Sequence, residues 1–321
     1  MKTGTCVVCA LFAMATTARA GDDLDRAPVP AGTLVGHTGA SSESATLYDQ
    51  PMYLSALPDP PSIYSPPAPP REDEGVNEGG VNIALQVRYL TDYVYRGVDH
   101  SEVGGNEDAP NLQFDGKITF DLGKLPHPFV GVFANVYNSD PDSRFQEIRP
   151  FFGLDWNVRP FRFVIGNNTY IYPERDESNT GEAFAQVTFD DSFLFSTEQP
   201  LLSPYLYAAY DYDVNDGVYI EAGVKHDFAI EDTGITVTAI ADVAYVSGIY
   251  KQFIFTSEKD NGFSHFDLGL IGTYSLNTLF NVPRRFGEWS IQGYLYYTDQ
   301  LDEELLAETQ VWGGFGIDFK Y

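Results

Sequence analysis

Alternation with a period of two is the feature of this sequence that most restricts what it can fold into. In Leu112, Phe114, Gly116, Ile118, Phe120 and Leu122 every second residue is apolar or small, with Gln113, Asp115, Lys117, Thr119 and Asp121 between them. A strand sends those two sets to opposite faces. The pattern returns in Val218, Ile220, Ala222 and Val224, against Tyr219, Glu221, Gly223 and Lys225. It returns again in Ile235 to Val243, in Trp289 to Tyr297, and in the last eleven residues, Val311 to Tyr321. No stretch after the first twenty residues holds the roughly 18 consecutive apolar residues of a membrane-spanning helix. The 21 Tyr and 23 Phe point the same way, because aromatic side chains suit a pleated surface.

Reading every segment this way predicts about twelve strands, starting near Val81, Asn111, Pro128, Phe145, Pro160, Glu182, Leu202, Gly217, Gly234, Phe263, Phe286 and Thr309. Asp190 to Ser203 is the segment least constrained by pattern. A soluble β-sandwich alternates too. Three features favour a membrane: aromatic rings border the apolar faces, long and short connections take turns, and the last residue is aromatic. The expectation is an all-β chain, a closed antiparallel transmembrane β-barrel over residues 81–321 in contact with outer-membrane lipid. Closure is demanded because each unpaired backbone group in hydrocarbon costs several kcal/mol. The last strand should therefore pair with the first, near Ile83 to Tyr95.

An even strand count puts both chain ends on one side, the periplasmic side of a bacterial outer membrane. The outward connections would then be Gly97 to Pro110, Asn138 to Arg144, Pro173 to Gly181, Asp213 to Gly217, Ser247 to Gly262 and Asp299 to Glu308. Inner turns would be tight and carry Lys124, Arg159 and the pair Arg284-Arg285.

Residues 1–20 read as a cleaved signal peptide: Lys2, an apolar run from Cys6 to Ala15, then small residues at Ala18 and Ala20. Both cysteines, Cys6 and Cys9, lie inside it, so the mature chain would carry no thiol. Residues 21–80 are rich in Pro, Ser, Ala and acids, with too little apolar surface to offset the entropy of ordering. They read as a disordered periplasmic arm, or as an extended spacer that contacts peptidoglycan or a partner.

With the apolar faces on lipid, the opposite faces line the interior. The pore-lining candidates are Arg88, Asp92, Arg96, Asp115, Lys117, Arg149, Arg162, Asp211, Glu221, Lys225, Asp227, Asp242, Asp267, Asp318 and Lys320. Arg88, Asp92 and Arg96 repeat every four residues, which predicts a charged column along the first strand, either a structural network or a guide for solutes. Phe129, Phe133 and Tyr137 should also face inward. Mixed charge of this kind builds a field across a wet pore or closes the lumen with ion pairs, and strand number does not choose between them.

The net charge of −27 excludes nucleic acid, whose phosphates would be repelled. Residues 81–321 alone hold 36 acidic and 15 basic residues, a balance that biases a channel for small solutes toward cations. The other reading is a closed structural barrel with a plugged lumen. An enzyme is not expected. Cofactor and metal motifs are missing; His265 and Asp267 merely share a face, His226 and Ser247 would make a hydrolase pair only if folding joined them, and the acids at Asp176-Glu177 and Asp302-Glu303-Glu304 lack the pattern of a calcium loop.

The run Leu90-Thr91-Asp92-Tyr93-Val94-Tyr95-Arg96-Gly97-Val98, followed by His100-Ser101, resembles the opening strand of the TorF family of porins. That family reads T-x-D-Y-x-[FY]-R-G-[IV] before a Gln/His-Ser pair. Leu202-Ser203-Pro204, Tyr210 to Asp213, Gly217 to Gly223 and Val311 to Gly314 extend the likeness over about 240 residues. It implies an outer-membrane barrel with a channel-like role and no known substrate; the proline-rich arm departs from the compact family pattern.

Overall fold

A computed structural model describes residues 80–101, 110–137, 146–173, 179–197, 199–230, 233–248 and 259–321. The signal-peptide and arm readings and the acids Asp176-Glu177 lie outside the described residues. Twelve antiparallel strands close on themselves: β1 (Val81–Leu90), β4 (Asn111–Phe120), β5 (His127–Tyr137), β6 (Glu147–Val158), β7 (Phe161–Tyr170), β8 (Thr180–Phe189), β9 (Tyr205–Asp211), β10 (Gly217–Ile230), β11 (Ile235–Ser247), β12 (Asn261–Ser275), β13 (Glu288–Gln300) and β14 (Gln310–Lys320). The two-residue strands β2 (Val94–Tyr95) and β3 (Val98–Asp99) pair only with each other. Each barrel strand starts within three residues of its sequence expectation, because the switch from turn residues to alternation is sharp.

Closure runs through seven register pairs, from Ala84↔Lys320 to Leu90↔Gly314. Ile83 and Tyr321 extend it with reciprocal backbone hydrogen bonds of 2.7 and 2.8 Å. The seam therefore stops at Leu90 and not at Tyr95. Arg96 (φ 52°) and Gly97 (φ 77°) both take left-handed conformations, the backbone of a tight hairpin turn joining strands of two residues. The chain turns back on itself there and cannot continue along the barrel wall.

Outside, the apolar set is exposed: Leu85, Phe114, Ile118, Val132, Phe152, Ile165, Leu206, Leu270, Leu295 and Phe315 all face away from the interior. Such a surface is stable only against hydrocarbon. Rings mark both ends of this band, with Trp289 and Phe319 4.4 Å apart at the end holding the chain termini and Tyr245 and Phe263 5.6 Å apart at the far end.

Two of the terminal-end connections are not tight. Asp190 to Pro204 contains α1 (Ser192–Phe195). There the buried Asp191 carboxylate accepts from the backbone of Leu201 and Leu202 at 2.7 and 2.9 Å. Between β12 and β13 lie α2 (Leu276–Phe280) and a 3-10 turn at Arg284–Phe286. The Asn277 side chain ties this connection, donating to Val282 O and Gly287 O and accepting from Trp289 N. Arg284-Arg285 thus sit in a structured connection and not a tight turn.

Inside, Trp312 stacks on Tyr296 with centroids 4.4 Å apart and donates from Nε1 to Thr298 Oγ1 at 3.1 Å. Both rings are almost fully buried with Leu90, Val94, Ile240, Ile271 and Tyr294. Trp312→Ala should lower the denaturant resistance of the folded barrel by about 3–5 kcal/mol, as for other large buried rings, read by equilibrium urea unfolding in lipid vesicles. An unchanged midpoint would contradict this packing.

Candidate functional site: the barrel lumen

Every strand delivers its polar positions inward. Arg88, Asp115, Lys117, Arg149, Asp211, Glu221, Asp242, Asp267 and Asp318 are buried on the inner face. Arg162, Lys225, Asp227 and Lys320 share that face, and Asp92 and Arg96 are buried in the segment after β1. Phe129 and Phe133 point inward as expected; the Tyr137 side chain lies outside the described residues.

The expected column of Arg88, Asp92 and Arg96 does not form. Only Arg88 is on β1, and residues 92–101, all buried, fold into the mouth of the barrel at the far end. Its contacts radiate to the walls. Arg96 Nη2 lies 2.6 Å from Glu182 Oε2 on β8, and its guanidinium sits 4.3 Å from the ring centre of Tyr219 on β10. Tyr93 donates to Glu147 Oε2 on β6 at 2.7 Å, and the Tyr95 and Tyr170 hydroxyls meet at 2.5 Å. Arg149, 2.6 Å from Glu147, lies over the rings of Tyr95, Phe133 and Tyr170 at 4.6 to 4.9 Å.

The β13–β14 connection joins this plug. Glu308 N donates to Gly97 O at 2.9 Å, and Leu305 and Ala307 are buried. A side chain at Gly97 would meet His265 Nδ1 at 2.5 Å and Ala307 Cβ at 3.1 Å, so glycine meets both the turn geometry and the close approach. Between the plug and the wall lies a cavity of about 20 Å³ bordered by Tyr95, Arg96, His100, Tyr170 and Glu182, room for about one water. On the rim, Lys259 donates to Asp302, which holds the Asp302 carboxyl below its ordinary range and the Lys259 ammonium above its own. That contact contributes above the ordinary carboxylate value. It is lost as pH falls through the lowered Asp302 value, and again as pH rises through the raised Lys259 value.

Deeper in, β10, β11 and β12 bring three carboxylates together. Asp242 and Asp267 are direct register partners, and Glu221 is opposite Ala244, two residues from Asp242. Glu221 accepts from Tyr205 and Tyr219, each at 2.7 Å. Asp267 accepts from Thr298 and lies 3.4 Å from His265 Nε2. The Asp242 carboxylate, only 6% exposed, is packed beside Asp267 and Tyr205.

The fully buried Ser264 sits at a bulge, where the register shifts between Ala244 and Tyr245, and its Oγ is 3.1 Å from His265 Nδ1. Gly97 covers that imidazole, so the Ser264, His265, Asp267 chain is packing against the plug. Ser247 pairs with Val218, eight residues from His226 on β10, so the two are roughly 27 Å apart. Among the described residues no group of three or more His, Cys, Asp or Glu is placed to hold a metal ion.

At the terminal end, Lys117 and Lys320 stand on either side of Ala84, which pairs with both. Arg162 is bound there to Asp155, and Thr238 donates to Asp227 at 2.6 Å.

An apolar exterior, a closed wall and a lumen crowded with ionisable and amide side chains define a transmembrane β-barrel. No family model and no curated protein sequence matches the chain. Among solved structures it is similar to the KdgM porin, at 7% identity over 74% of this chain and 99% of that one, with a TM-score of 0.43. It is similar to the NanC porin at 8% identity, 74% and 100% coverage and a TM-score of 0.44. The COG4313 outer membrane channel from Pseudomonas putida F1 shows 10% identity, 78% and 98% coverage and a TM-score of 0.44.

Proposed function

We propose that this chain is an outer-membrane porin-like channel for passive passage of small solutes, biased toward cations, with the plug at its mouth controlling access. The observation that carries the reading is the inner face, where Arg88, Gln113 and Asn135 keep buried polar atoms that no hydrogen bond among the described residues satisfies, unlike a lumen closed by ion pairs. The cation bias rests on Glu221, Asp242 and Asp267, three neighbouring carboxylates on β10, β11 and β12. Cleavage after residue 20, an arm over residues 21–80, periplasmic chain ends and membership of the TorF family belong to the same proposal. The Leu90 to Val98 motif supports the last of these through its match to the family's T-x-D-Y-x-[FY]-R-G-[IV] pattern.

A closed structural barrel is the second reading, favoured by the apolar clusters that join the plug to the wall, such as Val98 and Leu305 against Phe184, Tyr207 and Tyr219. Planar-bilayer recording of the purified protein in a salt gradient separates the two. The channel reading expects conductance with a reversal potential on the cation side, and the double variant Asp242→Asn with Asp267→Asn should move that potential at least halfway to zero. A barrel that never conducts ends the channel reading, and an unmoved potential ends the assignment of the selectivity to these carboxylates.

A further inference from the structure

One register row crosses half the wall. Gln292 on β13 pairs with Gly316 on β14, Gly316 with Arg88 on β1, Arg88 with Gln113 on β4, Gln113 with Asn135 on β5, and Asn135 with Glu147 on β6. These positions span six adjacent strands of the twelve, an arc of roughly 24 Å at about 4.8 Å per strand. Asn111 lies one inward position further toward the mouth on β4, opposite Leu90. Gly316 leaves the row open where a side chain would meet Arg88 Cγ and the Tyr294 hydroxyl, each at 3.0 Å.

The side chains of this belt are at least 98% buried, yet nine of their polar atoms are unmatched. Both amide atoms of Gln113, Asn135 and Asn111 lack a hydrogen-bond partner, as do Arg88 Nε and Nη2 and Gln292 Nε2. Native proteins rarely leave buried amides unpaired, because each such group has given up water for nothing. So many on neighbouring inward positions mark a surface suited to an occupant other than this chain.

The plug touches both ends of the belt. Val94 packs in one cluster with Leu90, Tyr294 and Trp312 at one end of the belt, and Tyr93 reaches Glu147 at the other. When these residues lift away, the belt faces the lumen.

The chemistry of the belt selects the occupant. An amide both donates and accepts, as a hydroxyl does. Three amide side chains along the row and Asn111 beside it therefore match a molecule bearing several hydroxyls. A carboxylate would meet one guanidinium but also the acceptor oxygens of Gln113, Asn135 and Asn111. A cation would meet Arg88. Aromatic faces of the wall flank the belt on both sides, Phe133 near one end and Tyr294, Tyr296 and Trp312 near the other; such faces cover the C–H surfaces of a ring that offers its hydroxyls edgewise. We infer that Gln292, Arg88, Gln113, Asn135 and Asn111 form a binding site for an uncharged polyhydroxylated solute of sugar size, exposed when the plug is displaced. This rests on reading the lumen as the solute path.

The test is isothermal titration of the full chain in detergent with sucrose, potassium gluconate and choline chloride, alongside bilayer recording with sucrose present. The proteins are wild type, Arg96→Ala to free the plug, and Arg96→Ala carrying Gln113→Leu or Asn135→Leu. Removing unpaired amides leaves folding intact, which a heat-modifiable gel shift verifies. Saturable sucrose binding is expected, about tenfold or more tighter in Arg96→Ala than in wild type, and weakened about tenfold by either leucine. Absence of saturable binding in both wild type and Arg96→Ala, or binding indifferent to both leucines, overturns the site and leaves a belt that holds water only. Gluconate or choline bound more tightly than sucrose overturns the class of solute. Sucrose binding in a barrel that does not conduct upholds the site and removes the channel; conductance without sucrose binding does the reverse.

Discussion

Gly314→Val is expected to abolish the closed barrel, so that the unheated protein migrates on a gel at its heat-denatured position. Gly314 pairs with Leu90 on one side and Tyr294 on the other, at the mouth end of the seam between the last and first strands. A Cβ there would fall on the carbonyl oxygen of Tyr89 and within 2.9 Å of Leu90 Cα. Those are backbone atoms of a strand that is itself held by β4 along its whole length, so the side chain cannot be accommodated by a rotamer change. The seam has to open. Each backbone group released into hydrocarbon costs several kcal/mol, and a few such groups exceed the stability of an ordinary domain. Gly272→Ala and Gly293→Ala are the controls, since nothing lies within 4 Å of a side chain at either position; both should keep the wild-type shift. A Gly314→Val protein that still shows the shift would mean the barrel does not close through this pairing.

Arg96→Ala should leave the barrel folded while raising the open probability in bilayers by about a hundredfold or more. The guanidinium links the plug to β8 by an ion pair, and Glu182, its partner, also accepts from Asn168, Tyr170 and Tyr207 at 3.1 to 3.2 Å. Removing one member of a buried pair typically costs about 3–5 kcal/mol. Here that cost falls on the closed conformation alone, because a lifted plug leaves Glu182 facing water. Three kcal/mol is roughly a 150-fold shift in population. Arg96→Gly isolates the cause, since glycine suits the left-handed backbone at this position; it should open the channel as Arg96→Ala does. Wild-type gating in both folded variants would show that the plug is not held by this contact.

Much of the wall was legible in residues. Leu112 to Leu122 could be assigned face by face because period-two alternation has one structural meaning once both of its faces have solvents of different kind. Val218 to Val224 and Trp289 to Tyr297 followed by the same reasoning, and the terminal aromatic marked the closing strand. Between Leu90 and Ser101 that reasoning failed. Arg88, Asp92 and Arg96 keep a four-residue spacing, so the inward-facing set ran on past the true strand end. The strand ends at Leu90, where Thr91 bends out of the wall, and the left-handed pair at Arg96 and Gly97 then turns the chain back; an arginine in that conformation gives no compositional warning. Gly97 before Val98 was the available signal, a turn glycine inside an apparent strand.

The inner face divides the same way. That Arg88, Gln113 and Asn135 face inward follows from parity along each strand, a local property that a single segment carries in its own order. That they stand side by side, that Asp242 meets Asp267, and that Arg96 reaches Glu182 depend on the stagger between strands distant in the chain. Stagger is set by how the whole sheet closes, through hydrogen bonds identical for every residue type. Residue order therefore determined the twelve strands and which side of each meets lipid; only the closed sheet decided which inward groups become neighbours, and with them the plug, the acidic patch and the amide belt.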